Sequence, residues 1–130
     1  VSGNWNFMDT TKGIDDYMVI VESEEDVLNL DLNFEIIKTL DSRGLIVSSS
    51  GKDVDFVSRW FGPQTGVDED PVTGSAHTLL TPCWAERLNK TKLRAKQLSR
   101  RGGELFCELK ENSVLISGNA SLYLRGEYFL

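Results

Sequence analysis

The sequence predicts an α+β domain in which a curled, mostly antiparallel, barrel-like sheet surrounds one central buried helix. Two observations carry that prediction. From Ser75 to Asn89, the apolar residues Ala76, Leu79, Leu80, Cys83, Trp84, Ala85 and Leu88 cover more than one narrow stripe, as in a helix buried on most sides. After Lys90 the pattern changes to period two, broken at Gly102-Gly103, Glu111-Asn112 and Gly118-Asn119, which reads as an antiparallel meander of about four strands. Four strands are too few to cover such a helix, so strands from the first half must complete the wrap.

The elements follow in chain order. Residues 1–14 are polar and irregular apart from Trp5, Phe7 and Met8. Tyr17–Val21 is a short β-branched run and reads as a buried strand. Ser23 before Glu24-Glu25-Asp26 starts a helix, because acids suit its first turn. Asn33 caps a second helix over Phe34–Leu40, and Ser42-Arg43-Gly44 ends it. Leu45–Val47 is a strand and Ser48–Asp53 a polar loop. Val54–Phe61 alternates as a strand, which Pro63 ends. Pro82 inside the long helix removes one backbone bond near Thr78, where a kink or a 3₁₀ turn is expected. Lys92–Leu98, Leu105–Leu109, Val114–Ser117 and Ser121–Leu130 are the closing strands.

Composition bounds the function. The chain has 130 residues, 40% hydrophobic and 26% charged, as expected of one globular domain. A net charge of −6 argues against a nucleic-acid or anionic-membrane partner. No apolar run approaches the ~20 residues that span a bilayer, and no leader is visible at the start. The two cysteines, Cys83 and Cys107, read as reduced core thiols of a cytoplasmic protein, with a single disulfide between them as the alternative. With a single histidine they make no metal-ligand cluster, so no metal is expected. The chain begins at Val1-Ser2-Gly3, as a processed chain or a piece of a longer one would.

The chemistry concentrates in Gly66-Val-Asp-Glu-Asp-Pro-Val-Thr-Gly-Ser-Ala-His77. Gly66 and Gly74 permit backbone geometry that side chains forbid. Asp68 and Glu69 read as solvated charges, whereas Asp70 stands before Pro71 and close to the helix start. The free N–H groups of a helix start favour an anion, so Gly74, Ser75 and Ala76 form a candidate anion site. Thr73 and Ser75 serve either as caps or as ligand donors, since both roles use the same oxygens. The alternative is a closed helix start that Asp70 or Thr73 caps. His77 reads as a packed or solvent-facing residue. Ser75 and His77 are too close along one helix to form a nucleophile–base pair.

With those residues in view, the sequence resembles a known family. Val54-Asp-Phe-Val-Ser-Arg-Trp-Phe61, the Glu69-Asp-Pro-Val-Thr-Gly-Ser75 core, Gln97-Leu-Ser-Arg-Arg-Gly-Gly103, Ile116-Ser-Gly118 with Ala120, and Arg125-Gly-Glu127 resemble the PhzF-like phenazine-biosynthesis isomerases over about residues 15–130. The resemblance implies one half, the C-terminal one, of a diaminopimelate-epimerase-like fold of two similar halves with the site between them. It implies Asp70 and Ser75 as catalytic-site residues. It also implies that Thr73, Gly74, Ser75 and Ala76 bind a small amino- or hydroxy-carboxylate, and that no cofactor takes part. The family's principal acid–base glutamate and a histidine lie in its first half, and nothing here matches them. The isolated chain is therefore expected to be inactive without an N-terminal half, and to be able to form a homodimer. The alternative is a non-catalytic small-molecule-binding or interaction domain that keeps the pocket geometry.

Overall fold

The computed structural model describes residues 7–130. Seven strands form one open mixed sheet in sequence order: β1 (Phe7–Lys12), β2 (Asp16–Val21), β3 (Gly44–Ser50), β4 (Phe56–Phe61), β5 (Lys92–Gln97), β6 (Gly103–Leu109) and β7 (Val114–Ser117). Neighbours pair antiparallel except β2 with β3 and β4 with β5, which are parallel. Parallel neighbours need a crossover, and helices supply both. The first carries α1 (Glu24–Leu28) and α2 (Phe34–Ile37), the second α3 (His77–Leu88).

The helix starts follow the sequence closely. The Ser23 hydroxyl accepts from the Asp26 N–H while the Asp26 carboxylate accepts from the Ser23 N–H, a complete capping box. The Asn33 side chain accepts from the N–H groups of Glu35 and Ile36. Two apolar layers result. On one face of the sheet, Val27 of α1 and Ile37 of α2 pack with Val21, Leu45, Val47, Val57 and Phe61. On the other, Leu80, Trp84 and Ala85 of α3 pack with Met18, Ile20, Ile46, Phe56, Trp60, Leu93, Ala95, Leu105 and Cys107. Strands β2–β4 are therefore buried on both sides, which explains their near-continuous apolar runs.

Several expectations are corrected. Residues 7–12 of the supposedly irregular 1–14 are strand β1, paired with β2; residues 1–6 lie outside the described residues. Ser48–Ser50 belong to β3 and not to a loop. The Ser48 hydroxyl, completely buried, donates to the Val57 carbonyl at 2.6 Å and accepts from Trp84 Nε1 at 3.0 Å, which makes a serine tolerable there. The sheet is open and not a barrel, with β1 and β7 at its edges.

Helix α3 is buried along one stripe and not on most sides. His77, Leu80, Thr81, Trp84 and Ala85 form its buried stripe, while Thr78, Pro82, Glu86, Arg87 and Leu88 face solvent. Its apolar residues are wider than its buried face because Leu79 and Cys83 sit half-buried at the flanks. Pro82 lies on the solvent side of an unbroken helix, and the 3₁₀ turn is at Gly74–Ala76 instead.

The final expected strand is absent. Residues 118–130 form neither strand nor helix, and Leu122, Tyr123, Leu124, Tyr128, Phe129 and Leu130 are exposed, Tyr123 fully and Phe129 to 91%. Period-two alternation marks a strand only where a second backbone accepts its ladder bonds, and none does here. Leu80→Ala should lower stability by about 2–5 kcal/mol, whereas Leu88→Ala should cost less than about 1 kcal/mol. Urea denaturation of the two variants checks the assignment of the buried face.

Candidate functional site

The stretch from Gly62 to Ala76 connects β4 to α3 across the ends of the strands. A 3₁₀ turn at Pro63–Thr65 closes on Gly66, whose φ of 88° explains a glycine there. Gly74 is different. It lacks a positive φ, and a methyl group at that position would meet nothing within 4 Å. The fold therefore does not require this glycine, contrary to the expectation from sequence. What its missing side chain leaves is open space over the backbone.

One buried side chain holds the motif from below. Gln97, at the end of β5, accepts from the Thr73 N–H at 2.7 Å. Its amide nitrogen donates to the Asp70 carbonyl at 2.8 Å and to the Thr73 hydroxyl at 3.0 Å. The Thr73 hydroxyl in turn donates to the Asp70 carboxylate at 2.6 Å. Ser99 adds a bond from its hydroxyl to the Pro71 carbonyl at 2.7 Å. Asp70 and Thr73 thus bond each other, and neither caps the helix. Both the turn at Gly74–Ala76 and α3 lack a side-chain cap, so the helix start is open.

The candidate residues separate in space. Ser75 is exposed and lines a cavity of about 250 Å³ with Gly13, Asp15, Asp16, Thr78 and Leu79. Gly74 is exposed beside it. Thr73 and Ala76 are buried, and the Thr73 hydroxyl is already committed to Asp70. A cavity of about 400 Å³ lies away from the motif, lined by Asp55, Lys90, Lys92, Arg94, Phe106 and Leu115 among others. It lacks the open helix start, and its Asp55–Lys90 and Arg94–Glu104 ion pairs neutralise much of its charge.

The other acids also sort. Asp68 is exposed, as expected. Glu69 is not a solvated charge: it accepts from Arg59 Nε at 2.7 Å and Nη2 at 2.9 Å, and Arg59 also donates to the Val27 carbonyl at 3.1 Å. This fork ties the motif to the end of α1.

Sequence reasoning missed three residues here. Gln97 occupies an inward position of an alternating strand, and a polar side chain at such a position is the available signal. Asp16 and Arg43 gave no comparable signal together, because 27 residues separate them. Asp16 is buried, with 4% of its surface exposed, and accepts from Arg43 Nε at 3.2 Å, from Arg43 Nη2, and from Trp60 Nε1 at 3.1 Å. Arg43 Nη1 then reaches the Ser75 hydroxyl at 2.8 Å. Hydrogen bonding to Asp16 raises the guanidinium pKa further, so Arg43 is a fixed positive charge beside the helix start.

His77 is fully buried against Phe56, and its Nδ1–H donates to the Thr73 carbonyl at 2.8 Å. Its Nε2 has no hydrogen-bond partner. Burial lowers its pKa below the ordinary 6.5, which keeps the ring neutral. It supports the loop and is out of reach of a ligand. Cys83 and Cys107 are free thiols, and burial pushes the Cys107 thiol up. Among the described residues, no group of three or more His, Cys, Asp or Glu could hold a metal ion, and no helix is long and apolar enough to cross a membrane.

Comparison with known proteins finds relatives of this chain. Residues 6–126 match the family described as phenazine biosynthesis-like protein. An uncharacterized isomerase of Pseudomonas aeruginosa is 50% identical over 116 residues, 89% of this chain and 45% of its own length. A second uncharacterized isomerase of the same organism is 50% identical over 119 residues, 92% of this chain and 46% of its own. A crystal structure of a PhzF-family phenazine biosynthesis protein from Enterococcus faecalis superimposes with a TM-score of 0.88 at 46% identity, covering 97% of this chain and 48% of that one. The chain spans about half the length of each.

His77 gives the site a measurable pH dependence. Its folded pKa is depressed, so the unfolded chain binds the proton more readily. The stability it contributes is complete above about pH 6.5 and is lost as pH falls below that towards the folded pKa, with a slope of at most ~1.4 kcal/mol per pH unit. Urea midpoints between pH 5 and 8 should show this component in the wild type and lose it in His77→Asn.

Proposed function

The chain belongs to the phenazine biosynthesis-like family of PhzF proteins, and from that premise we propose that it forms the C-terminal half of an isomerase that moves a proton between carbons of a small amino- or hydroxy-carboxylate, without metal or organic cofactor. The carboxylate of the substrate sits on the open helix start at Gly74, Ser75 and Ala76. Asp70 orients an amine or hydroxyl of the same molecule. The base comes from an N-terminal half that this chain does not contain.

The open helix start is the observation that carries the reading. Asp70 and Thr73 satisfy each other, so no side chain of the motif closes the turn. A helix start carries partial positive charge worth roughly 0.3–1 kcal/mol to an exposed anion and up to ~2 kcal/mol to a partly buried one. The fixed guanidinium of Arg43 adds to it. The free space at Gly74 lets a ligand reach the backbone. Proton abstraction beside a carboxylate is difficult, and fixed dipoles and charges aimed at developing negative charge are the usual means of easing it.

Two further observations support a missing half. Among the described residues of the motif, Asp70 accepts from Thr73, Glu69 is held by Arg59 and His77 is buried, while the exposed Asp68 does not line the cavity beside Ser75. Six large apolar side chains between residues 122 and 130 are exposed, the kind of concentration that marks a surface meant to be covered. We assign their cover to the N-terminal half, with a homodimer as the substitute when that half is absent. The finer fold follows the same lines. Seven strands at ~4.8 Å would make a flat sheet ~29 Å wide, whereas a helix is ~10 Å across. Residues of α3 nevertheless touch strands from β1 (Arg87 with Asp9) to β6. We read this reach as a sheet that curls over α3, as one half of a diaminopimelate-epimerase-like fold would.

Two measurements test the function. In deuterated water, the 130-residue chain alone should incorporate no solvent deuterium into candidate amino- or hydroxy-carboxylates; clear incorporation would show a complete active site within it. In an NMR titration with 2-aminobenzoate, saturable shifts should centre on the amides of Gly74, Ser75 and Ala76. Gly74→Ala should raise stability by ~0.4–1 kcal/mol, because alanine restricts the unfolded chain more, yet weaken the shifts. Shifts centred on Lys90–Arg101 would instead indicate ordinary charge attraction and overturn the site. Saturable binding without turnover even after an N-terminal half is supplied would favour a non-catalytic binding domain.

A further inference from the structure

Asp16, Arg43, Trp60 and Ser75 come from four separate parts of the chain and meet beside the helix start. Three of them make a closed set. The buried Asp16 carboxylate accepts from two guanidinium nitrogens and from the indole N–H, and the guanidinium carbon lies 5.4 Å from the centre of the Trp60 ring. The backbone N–H of Arg43 is also tied, donating to the Asp15 carbonyl at 2.6 Å. This holds the guanidinium plane in one orientation. The nitrogen left over, Nη1, points out of the set to the Ser75 hydroxyl at 2.8 Å.

A hydroxyl has one proton and two lone pairs, whereas a guanidinium only donates. The Arg43 bond therefore occupies a lone pair of Ser75 and cannot take its proton. Among the described residues no other side chain or carbonyl accepts that proton, and the residue is exposed. We propose that Arg43 is a positioning residue that fixes Ser75 as a proton donor towards the bound ligand, so that Ser75 serves the reaction as a hydrogen-bond donor and not as a base or nucleophile. A hydroxyl whose oxygen accepts from a cation is a stronger donor, since hydrogen bonds in a chain polarise one another. Lysine cannot replace Arg43 here, because one ammonium does not reproduce a fork that spans Asp16 and Ser75 together. This inference rests on the reading of Gly74–Ala76 as a carboxylate site.

The test is a double-mutant cycle on the 130-residue chain, titrated by NMR with 2-aminobenzoate. Ser75→Ala and Arg43→Lys should each weaken binding about tenfold, the loss of one hydrogen bond to an anion. The double variant should be no weaker than Ser75→Ala alone, because Arg43 acts through Ser75. Additive losses of about a hundredfold would mean that Arg43 meets the ligand itself, and an unchanged Arg43→Lys would mean that the pair only braces the fold; either overturns the proposal while leaving the carboxylate site standing. Absence of any saturable shift at Gly74–Ala76 in the wild type would remove the site and this inference with it. A second measurement does not depend on the folding of an Arg43 variant. In Ser75→Ala, the Arg43 Nε–H resonance should stay in place while the Nη1 protons are released to faster rotation and exchange. Unchanged Nη1 protons would overturn the assignment.

Discussion

The site depends on the burial of one amide, the Gln97 side chain. A segment that crosses the end of a sheet carries backbone groups that the ladders do not satisfy, and each unpaired one costs free energy once water is excluded. Gln97 offers one acceptor and a donor nitrogen with two protons, and the 70–73 segment uses both atoms. The consequence travels outward. Thr73, held at its N–H and its hydroxyl, can give its own proton only to Asp70. Asp70 is then unavailable as a cap, and the turn at Gly74 stays open. An open helix start in this fold is thus the result of a polar network satisfied elsewhere.

A second set fixes the same place from the side. Asp16 would be costly to bury alone, and Arg43 and Trp60 make it tolerable. Trp60 sits on β4, Asp16 begins β2, and Arg43 immediately precedes β3. Their meeting point is set by the parallel register of β2 on β3 and the antiparallel register of β3 on β4. The site is therefore held by both halves of the sheet: β5 through Gln97, and β2–β4 through the Asp16 set.

The tail beyond β7 shows the opposite situation. Its even-numbered positions from Ala120 to Leu130 are apolar apart from Gly126, and its odd ones mostly polar, a pattern suited to a strand with one buried face. Among the described residues, no backbone pairs with it. In this chain its large apolar side chains are exposed.

Local features were legible along the chain. Ser23, Asn33 and Gly66 announced two caps and a turn because their chemistry acts within three or four residues. Alternation revealed β5, β6 and β7, and the Gly66–His77 stretch marked the candidate site, with Asp70, Thr73, Gly74 and Ser75 named as its candidate residues. The tertiary structure alone decided which of those residues are available to a ligand. Thr73 turns inward and Ser75 outward because Gln97, more than twenty residues away, binds one and Arg43, more than thirty away, binds the other. It also decided that α3 has a single buried face, since apolar content records how many residues can be buried and not from how many directions a sheet approaches. Long-range pairing has no period along the chain, and for that reason the Asp16–Arg43–Ser75 contact could be read only from the folded molecule.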